Sequence, residues 1–440
     1  MIQDDKTRTG APRKREAYAV WELTLRCNLA CGHCGSRAGE RRDNELNTEE
    51  ALDLVRQLSE VGIDEVTIEG GEAFLRADWA TIARAITDAG MACTLVTGGY
   101  GVSRETARRM KDAGIVAVSV SIDGLEQTHD TLRGKSGSWN SCFSALAHFR
   151  EAGLEICTNT QINRLSVRDL PGLYERLRDA EVSVWQLQLT TPMGNAADRA
   201  WLLLQPAELD DVFRVLARVG MRAADEGRVA LVPGSNLGYF GPYDDLIFRA
   251  TRGRRWMGCV AGLAAIGIHH ADGSIKGCPT LPAQFVGGNI RDKPLSEILE
   301  TRELTFNMTA GKPEGLSHLR GFCATCPHRV SCRGGCTQTA TVIMGERGDN
   351  PYCHFRAREL YKRGRRERLV PRLLAKGRPF DHGTFRIVED PLEAAWPAGD
   401  VHRFQYSQVG WSESWGAWEV PGERLPGGGE TAVNAASALG

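Results

Sequence analysis

The sequence has almost no net charge and no long apolar run. Its 440 residues carry 54 Lys and Arg against 55 Asp and Glu, so it lacks the basic field by which nucleic-acid-binding proteins attract phosphate. The longest nearly apolar run, 259–268, is too short to cross a bilayer. No signal-peptide stretch follows the polar start of the chain, and no internal repeat is present. We therefore expect a soluble, cytoplasmic protein that binds neither nucleic acid nor membrane.

Cysteine, in contrast, is plentiful and clustered. The chain has 13 cysteines, and in a long chain without a signal segment such clusters indicate metal binding rather than disulfide bonds. Ten of them fall into three groups, one near the start of the chain and two in its second half. The other three, Cys93, Cys142 and Cys157, stand alone within apolar patterns. We expect them in the core, because free cysteine is often buried.

Strand-like and helix-like segments alternate in the first half of the chain. Strands are predicted at 20–25, 65–68, 92–96, 116–122, 155–162 and 182–189. Helices are predicted at 48–61 (with a capping box that starts at Thr48), 79–89, 103–113, 139–152, 167–179 and 202–225. Six strands that alternate with five helices indicate a parallel sheet with right-handed crossovers, too few for an eight-fold barrel. We predict an α/β fold with a partial (β/α)6 barrel, whose site lies at the carboxyl ends of the strands.

The first cysteine group follows the first predicted strand directly. Cys27, Cys31 and Cys34 have the spacing C-x3-C-x2-C. Three thiolates can hold three irons of a four-iron cluster, and the fourth iron then keeps the open position that catalysis needs. Zinc binding by these three cysteines remains the alternative.

This motif, with His33 before its third cysteine, resembles the radical S-adenosylmethionine (SAM) superfamily, and the resemblance spans about residues 18–230. It implies that the open iron chelates SAM and that reductive cleavage of SAM yields a 5′-deoxyadenosyl radical, which abstracts hydrogen from the substrate. Cys27, Cys31 and Cys34 are then the catalytic cluster ligands. The resemblance also implies an external electron donor such as flavodoxin or ferredoxin.

Further matches to this family lie at the ends of later predicted strands. The resemblance assigns SAM contacts to Gly70, Gly71, Glu72, Thr97, Ser121 and Asp123. A plain turn would also explain Gly-Gly-Glu, and a helix cap would explain Asp123. Asn159 and Gln161 could face the barrel lumen, with no role assigned.

The second half of the chain carries seven further grouped cysteines. Their order, C-x13-G-x4-C and then C-x2-C-x5-C-x3-C-x16-C, resembles the SPASM domain. That resemblance implies two auxiliary clusters, one held by Cys259, Cys278 and Cys336, the other by Cys323, Cys326, Cys332 and Cys353. The chain would then hold three [4Fe-4S] clusters. A zinc ribbon is the alternative for the last group, and the fourth ligand of the first auxiliary cluster stays open.

The same resemblance suggests a substrate class. SPASM proteins mostly modify ribosomally made peptides, and the chain resembles the pyrroloquinoline-quinone, mycofactocin and sulfatase maturases. We therefore expect oxidative modification of a peptide, such as cross-linking. Sulfatase maturases place an acidic base directly after the second cysteine of the first auxiliary cluster, whereas here Pro279 and Thr280 follow Cys278. The alternatives are a small molecule or cofactor precursor as substrate, or a non-catalytic iron–sulfur scaffold that would not need an open iron.

The predicted organisation is a polar tail (1–16), a radical SAM barrel (17–235), a bridge (236–258), a SPASM-type domain (259–360) and a C-terminal extension (361–440). Only 26 residues precede Cys27, so we expect no leader-binding domain there and a separate protein or the extension in its place. We predict that the basic run 362–368 is a solvated face. The tryptophans of the extension are expected to pack back on the core.

Overall fold

The computed structural model describes residues 17–251, 258–308, 313–397, 403–418 and 420. The predicted polar tail, 1–16, and part of the predicted bridge lie outside these ranges. The described residues form an α/β structure around one large sheet, which confirms the predicted fold class. No helix among them is long and apolar enough to cross a membrane.

All six predicted strands of the barrel are present. The large sheet consists of β1 Tyr18–Thr24, β2 Glu65–Gly70, β3 Ala92–Thr97, β4 Ile115–Ser121, β5 Glu155–Ile162, β6 Val184–Leu189, β7 Ala230–Pro233, β8 Ala265–His269, β9 Ser274–Lys276 and β10 Val286–Asn289. Their order across the sheet is β10-β9-β8-β1-β2-β3-β4-β5-β6-β7. Strands β1 to β7 run parallel, and β8 pairs in parallel with β1. Strands β9 and β10 continue antiparallel, so the start of the cysteine-rich region extends the barrel sheet itself.

The helices pack on the outer face of this sheet and in the second half of the chain. They are α1 Thr48–Glu60, α2 Trp79–Asp88, α3 Arg104–Asp112, α4 Glu126–Arg133, α5 Ser138–Glu151, α6 Leu170–Asp179, α7 Leu209–Glu226, α8 Asp244–Arg249, α9 Leu295–Ile298, α10 Arg302–Thr305, α11 Gly321–Thr325, α12 Arg329–Cys332, α13 Thr337–Met344 and α14 His354–Lys362. Alternation along the strands explains the packing: Trp21, Ile68 and Val118 are buried in the helix-facing core. The opposite face is polar and forms the lumen of the partial barrel.

Three sequence predictions about helices were wrong in detail. The capping box of α1 begins one residue earlier, at Asn47, because the Asn47 side chain accepts from the Glu50 N–H at 2.9 Å and Glu50 reciprocates. Helix α7 begins at Leu209 rather than at 202, since Pro206 disfavours helical backbone just before it. The segment between β4 and β5 contains α4 as well as α5, and α4 ends at Gly134 in the left-handed conformation.

The C-terminal extension is structured and packs on the barrel. Strands β11 Arg365–Leu373 and β12 Thr384–Pro391 form a separate antiparallel pair. The basic run 362–368, predicted as a solvated face, is exposed at 362–364, but the prediction is wrong for Arg366 and Glu367: each is 6% exposed, and Glu367 pairs with Arg356 at 2.7 Å.

The tryptophans of the extension do pack back on the core, as predicted. Arg218 of α7 lies 4.1 Å from the Trp411 ring, and Arg222 lies 4.4 Å from Trp415, which is buried. These cation–π contacts fix residues 403–418 on one face of α7.

Candidate active site

The first cysteine loop is fixed to the ends of β1 and β2 by backbone contacts. Gly71 donates its N–H to the Thr24 carbonyl at 2.8 Å, and Glu72 donates to the Arg26 carbonyl at 2.7 Å. A Cβ at Gly71 would clash with the Arg26 carbonyl oxygen, and one at Gly70, whose φ is +137°, would clash with that of Thr24. Only glycine permits this approach, so the predicted Gly-Gly pair positions the loop that begins at Cys27.

The three thiols of this loop share one environment. Cys27, Cys31 and Cys34 are partly exposed and form no disulfide. Burial, then the charge of Glu72, raises the pKa of Cys27 to about 12, and the charges of Cys31 and Cys34 add to the rise. Burial also raises the pKa of Cys31 to about 11. Metal binding by Cys27 and Cys31 would therefore release a proton from each, as is usual for cluster ligands.

Asp123 anchors the same loop through charge. Its carboxylate lies 3.0 Å from His33 Nε2 and 2.7 Å from an Arg133 guanidinium nitrogen, and its side chain is fully buried. Arg133 also donates to the Cys31 sulfur at 3.7 Å. Burial alone would raise the pKa of Asp123, but the charges of Arg133 and His33 hold it well below its ordinary value. The N-cap of α4 is Leu125, so the alternative role of Asp123 as a helix cap is wrong.

Glu72 and Thr97, two of the predicted SAM contacts, bind each other. The Thr97 hydroxyl and the Gly98 N–H each donate to the Glu72 carboxylate at 2.5 Å. Burial raises the pKa of Glu72 to about 7 against the effect of these hydrogen bonds. The end of β3 is thereby tied to the residue that follows the two glycines.

Ser121 lies on the inner face of the sheet, beside a residue from the next strand. Its hydroxyl donates to the Asn159 side-chain oxygen at 3.2 Å, and Ser119 donates to the same atom at 3.1 Å. Asn159 therefore shares the polar inner face with both serines. Gln161, two residues further along β5, donates its backbone N–H to Asp123 at 2.9 Å.

The loop carries two buried polar atoms that no described neighbour satisfies. The Asn28 side-chain oxygen and His33 Nδ1 are buried and have no hydrogen-bond partner among the described residues. Buried polar atoms are rarely left unpaired, so these two atoms fit a site that a polar ligand completes. A cluster with an open iron and a bound amino acid group would suit three thiols next to such atoms. In the described part of the chain, no three His, Cys, Asp or Glu side chains converge on a single-ion site.

Four of the later cysteines line one cavity. Cys323, Cys326, Cys332 and Cys353 line a small cavity of about 20 Å³. Aromatic rings form much of the wall: Phe240 stacks on His328 with centroids 4.3 Å apart, and Phe355 meets His328 edge-on. Burial raises the pKa of Cys323 to about 12. Four thiols around one enclosed space match the donor set of a four-iron cluster.

Cys259, Cys278 and Cys336 form a separate group. Burial, then the charge of Cys259, raises the pKa of Cys336 to about 12, and Cys278 adds to the rise. Cys259 and Cys278 are thus electrostatic neighbours of Cys336, and the three-plus-four division of cluster ligands stays a prediction of the SPASM resemblance. The Thr280 hydroxyl lies 3.4 Å from the Cys278 sulfur.

A charged cluster in the lumen was missed by the sequence analysis. Glu22 is 2% exposed, accepts from the His270 N–H at 2.7 Å and lies 3.1 Å from His269 Nδ1. Burial raises the pKa of Glu22 to about 8 and that of Glu69 to about 7, whereas burial lowers the pKa of Lys276 to about 7. A glutamate on the inner face of β1 and one on that of β2 were the sequence signals for this cluster.

The loop between β11 and β12 covers this region and was also missed. Phe380 donates its N–H to the Gly35 carbonyl at 2.9 Å, and its ring lies 4.0 Å from the His269 ring. Arg37 of the cysteine loop pairs with Asp381 at 3.2 Å. Nothing in the sequence around Phe380 signals that a segment more than 340 residues further along the chain contacts the first cysteine loop.

Comparison with known proteins agrees with this geometry. Residues 21–192 match the model of the radical SAM superfamily. An AdoMet-dependent heme synthase from Nitratidesulfovibrio vulgaris is 28% identical over 363 residues, 78% of this chain and 93% of the relative. The mycofactocin maturase MftC from Mycobacterium tuberculosis H37Rv is 27% identical over 385 residues, 85% of this chain and 90% of the relative.

A solved structure has the same fold. Streptococcus suis SuiB bound to its precursor peptide SuiA superposes with a TM-score of 0.58 at 16% identity, over 77% of this chain and 76% of SuiB. The cysteine loop at the ends of parallel strands, the match to the family model and the named relatives lead to one conclusion: the chain is an enzyme whose residues 21–192 match the radical SAM superfamily.

Proposed function

We propose that the chain is a radical SAM oxidoreductase that modifies a ribosomally made peptide. Cys27, Cys31 and Cys34 would hold a [4Fe-4S] cluster, with SAM bound beside it against the ends of the first strands. When bound there, the cluster and SAM supply a 5′-deoxyadenosyl radical that takes a hydrogen atom from the substrate. The SAM contacts proposed are Gly70, Gly71, Glu72, Thr97, Ser121 and Asp123.

The observation that carries the proposal is the way the chain fixes the first cysteine loop. Backbone contacts from the two glycines hold its start, and the Asp123 ion pairs with His33 and Arg133 hold its middle. The buried, unpaired atoms of Asn28 and His33 lie on the same loop. Radical chemistry needs the reacting groups held in one geometry, and these contacts are what would supply it.

We also propose two auxiliary [4Fe-4S] clusters, at the three-cysteine group and in the four-cysteine cavity. The substrate would lose a hydrogen atom to the radical, one electron to these clusters and one proton to solvent. The product would then be two hydrogens lighter than the substrate, as in a cross-link or a desaturation. A flavodoxin or ferredoxin would supply the first electron, and a separate protein would bind a leader peptide. The domain division 17–235, 236–258 and 259–360 belongs to this proposal.

A peptide substrate is supported by two relatives. The similarity to mycofactocin maturase spans 85% of the chain, and SuiB, which has the same fold, is solved with a precursor peptide. The charged side chains of the lumen are also consistent with a peptide substrate. Glu22 and Glu69 place carboxylates there, and Lys276 already donates to the carbonyls of Pro279 and Leu281. The Lys276 ammonium is therefore engaged within the chain itself.

A second candidate is a tetrapyrrole substrate, which the heme synthase relative favours. That relative is as similar in identity as the maturase, over 78% of the chain. A carboxylated tetrapyrrole would need cations in the lumen, where the Lys276 ammonium is already bound to the carbonyls of Pro279 and Leu281. We therefore rank this candidate second.

The test is turnover with both substrate classes. Anaerobically reconstituted protein, SAM and reductant are incubated with peptides encoded next to the gene, and separately with Fe-coproporphyrin III. We expect deoxyadenosine release coupled to a peptide that is two hydrogens lighter, measured by mass spectrometry. A scrambled peptide of the same composition is the matched control. If no neighbouring peptide changes mass while the porphyrin drives deoxyadenosine release, the peptide proposal is wrong and the second candidate stands.

A further inference from the structure

A tyrosine lies between the two later cysteine groups. Tyr239 belongs to the stretch 234–242, between β7 and α8, which the sequence assigned mainly to a bridge. Its side chain is 1% exposed and forms part of the wall of the four-cysteine cavity. The segment is therefore an internal part of the cysteine-rich region rather than a surface linker.

Tyr239 touches a member of each cysteine group. The Cys336 N–H donates to the Tyr239 hydroxyl oxygen at 3.0 Å, and that hydroxyl donates to the Ser235 carbonyl at 2.5 Å. The Cys353 thiol donates to the Tyr239 carbonyl at 3.9 Å. Cys336 belongs to the three-cysteine group and Cys353 to the four-cysteine cavity. One residue thus contacts both groups, the first through its side chain and the second through its backbone.

The backbone at this point is held in a costly conformation. Tyr239 has a φ of +82° and Phe240 a φ of +63°, a region that non-glycine residues seldom adopt. Such conformations persist where the surroundings impose them, and they concentrate at functional sites. Here Asp244 accepts from the Phe240 N–H at 2.8 Å, and a Cβ at Gly335 would come within 3.0 Å of the Tyr239 ring.

We propose that Tyr239 is a positioning residue that sets the reduction potential of the auxiliary cluster held by Cys259, Cys278 and Cys336. The inference rests on the auxiliary clusters of the proposed function. Hydrogen bonds near the ligating sulfurs and exclusion of solvent set the potential of an iron–sulfur cluster. The tyrosine hydroxyl accepts from the Cys336 N–H and so compensates the positive end of that N–H dipole beside the cluster. Without this acceptor the dipole acts more strongly on the nearby sulfurs, which stabilises the reduced, more negative cluster and raises its potential.

The effect is selective, which makes it testable. Cys353 of the four-cysteine cavity lies 3.9 Å from the Tyr239 carbonyl oxygen, a backbone atom that Tyr239→Phe leaves in place. Tyr239→Phe therefore shifts the midpoint potential of one auxiliary cluster upward and leaves the other two clusters of the enzyme unchanged. Incorporation of 3,5-difluorotyrosine at position 239 keeps the ring and weakens the hydroxyl as an acceptor. We expect a smaller shift of the potential in the same direction. This variant replaces Tyr239→Phe in the test if the phenylalanine variant binds too little iron.

The experiment is a redox titration of the reconstituted full chain, followed by electron paramagnetic resonance and iron analysis. Tyr174→Phe is the matched control, because its buried hydroxyl bonds Glu226 at 2.8 Å, away from the cysteines. A shift confined to one auxiliary signal in the position 239 variants supports the inference. If both position 239 variants keep the wild-type potentials, or if every cluster shifts equally, the role of Tyr239 is refuted. The proposal of two auxiliary clusters is not affected by that result. Wild-type protein without auxiliary signals refutes the proposed clusters themselves, and the inference with them.

Discussion

The first cysteine loop and the four-cysteine cavity use different means to hold thiols. In the loop, ion pairs dominate: Asp123 binds His33 and Arg133, and Arg133 reaches the Cys31 sulfur. In the cavity, aromatic rings dominate, with Phe240, His328 and Phe355 packed against one another. The loop also retains unpaired polar atoms beside a polar lumen. A polar, open site suits a cluster that binds a ligand, whereas an aromatic wall suits one that only exchanges electrons.

Asp123→Asn should have the largest effect, because it removes the ion pairs that distinguish the first cysteine loop from the four-cysteine cavity. The change leaves Arg133 buried without its charge partner, which costs about 3–5 kcal/mol for a buried pair. We expect the protein to lose the iron of the first loop and its SAM cleavage, while the other iron stays bound. Iron analysis and electron paramagnetic resonance measure both effects. Asp390→Asn, which removes the partner of Arg368 at the surface, is the control. Equal iron loss from every cluster would contradict the comparison.

Phe380→Ala tests whether the β11–β12 loop shields the first cysteine loop from solvent and reductant. Truncation of a buried phenylalanine costs about 3–5 kcal/mol, and Phe385→Ala in β12 should destabilise the protein similarly, as both rings are buried. Only Phe380 touches Gly35 and His269. We expect severalfold more SAM cleavage without substrate in Phe380→Ala, measured as deoxyadenosine, because solvent and reductant gain access. The same increase in Phe385→Ala would mean that a loosened hairpin is the cause.

Gly71→Ala probes the backbone contact that starts the cysteine loop. The added methyl meets the Arg26 carbonyl oxygen, and such overpacking typically costs about 1–3 kcal/mol. Thermal unfolding should show this loss, together with weaker retention of the first cluster during gel filtration. Gly410→Ala, where nothing lies within 4 Å, should change neither quantity. If Gly71→Ala changes neither the thermal stability nor the retention of the first cluster, the cysteine loop tolerates displacement.

The smallest expected effect concerns the lumen and pH. The folded-state pKa of Glu22 is raised to about 8, above its ordinary value. The folded state therefore binds more protons than the unfolded state between these two values, and this group's contribution to stability falls as pH rises through that window. In Glu22→Gln the free energy of unfolding should fall less from pH 5 to pH 8, as measured by denaturant titration. An identical pH profile for variant and wild type would contradict the burial of this charge.

The sequence predicted those parts of the fold that depend on local pattern. All six barrel strands follow from periodicity, and four of the later cysteines lie around one cavity as the motif resemblance implies. The Phe380 contact could not be foreseen, since it joins segments far apart in the chain. Nor could the role of Asp123, because its partners His33 and Arg133 meet it only after α4 has formed. The inward-facing Glu22 and Glu69 could have been found, as charged residues on the alternating face of a buried strand.

Cys27, Cys31 and Cys34 are proposed to hold the cluster that cleaves SAM. The most direct test replaces all three by alanine and measures iron content and deoxyadenosine formation in the anaerobic, reduced protein. We expect the variant to lose SAM cleavage and to keep about two-thirds of the roughly twelve irons, because the two auxiliary clusters stay bound. Cys157→Ala, which removes a lone cysteine of β5, should keep both at the wild-type level. Unchanged SAM cleavage in the triple variant would contradict the account.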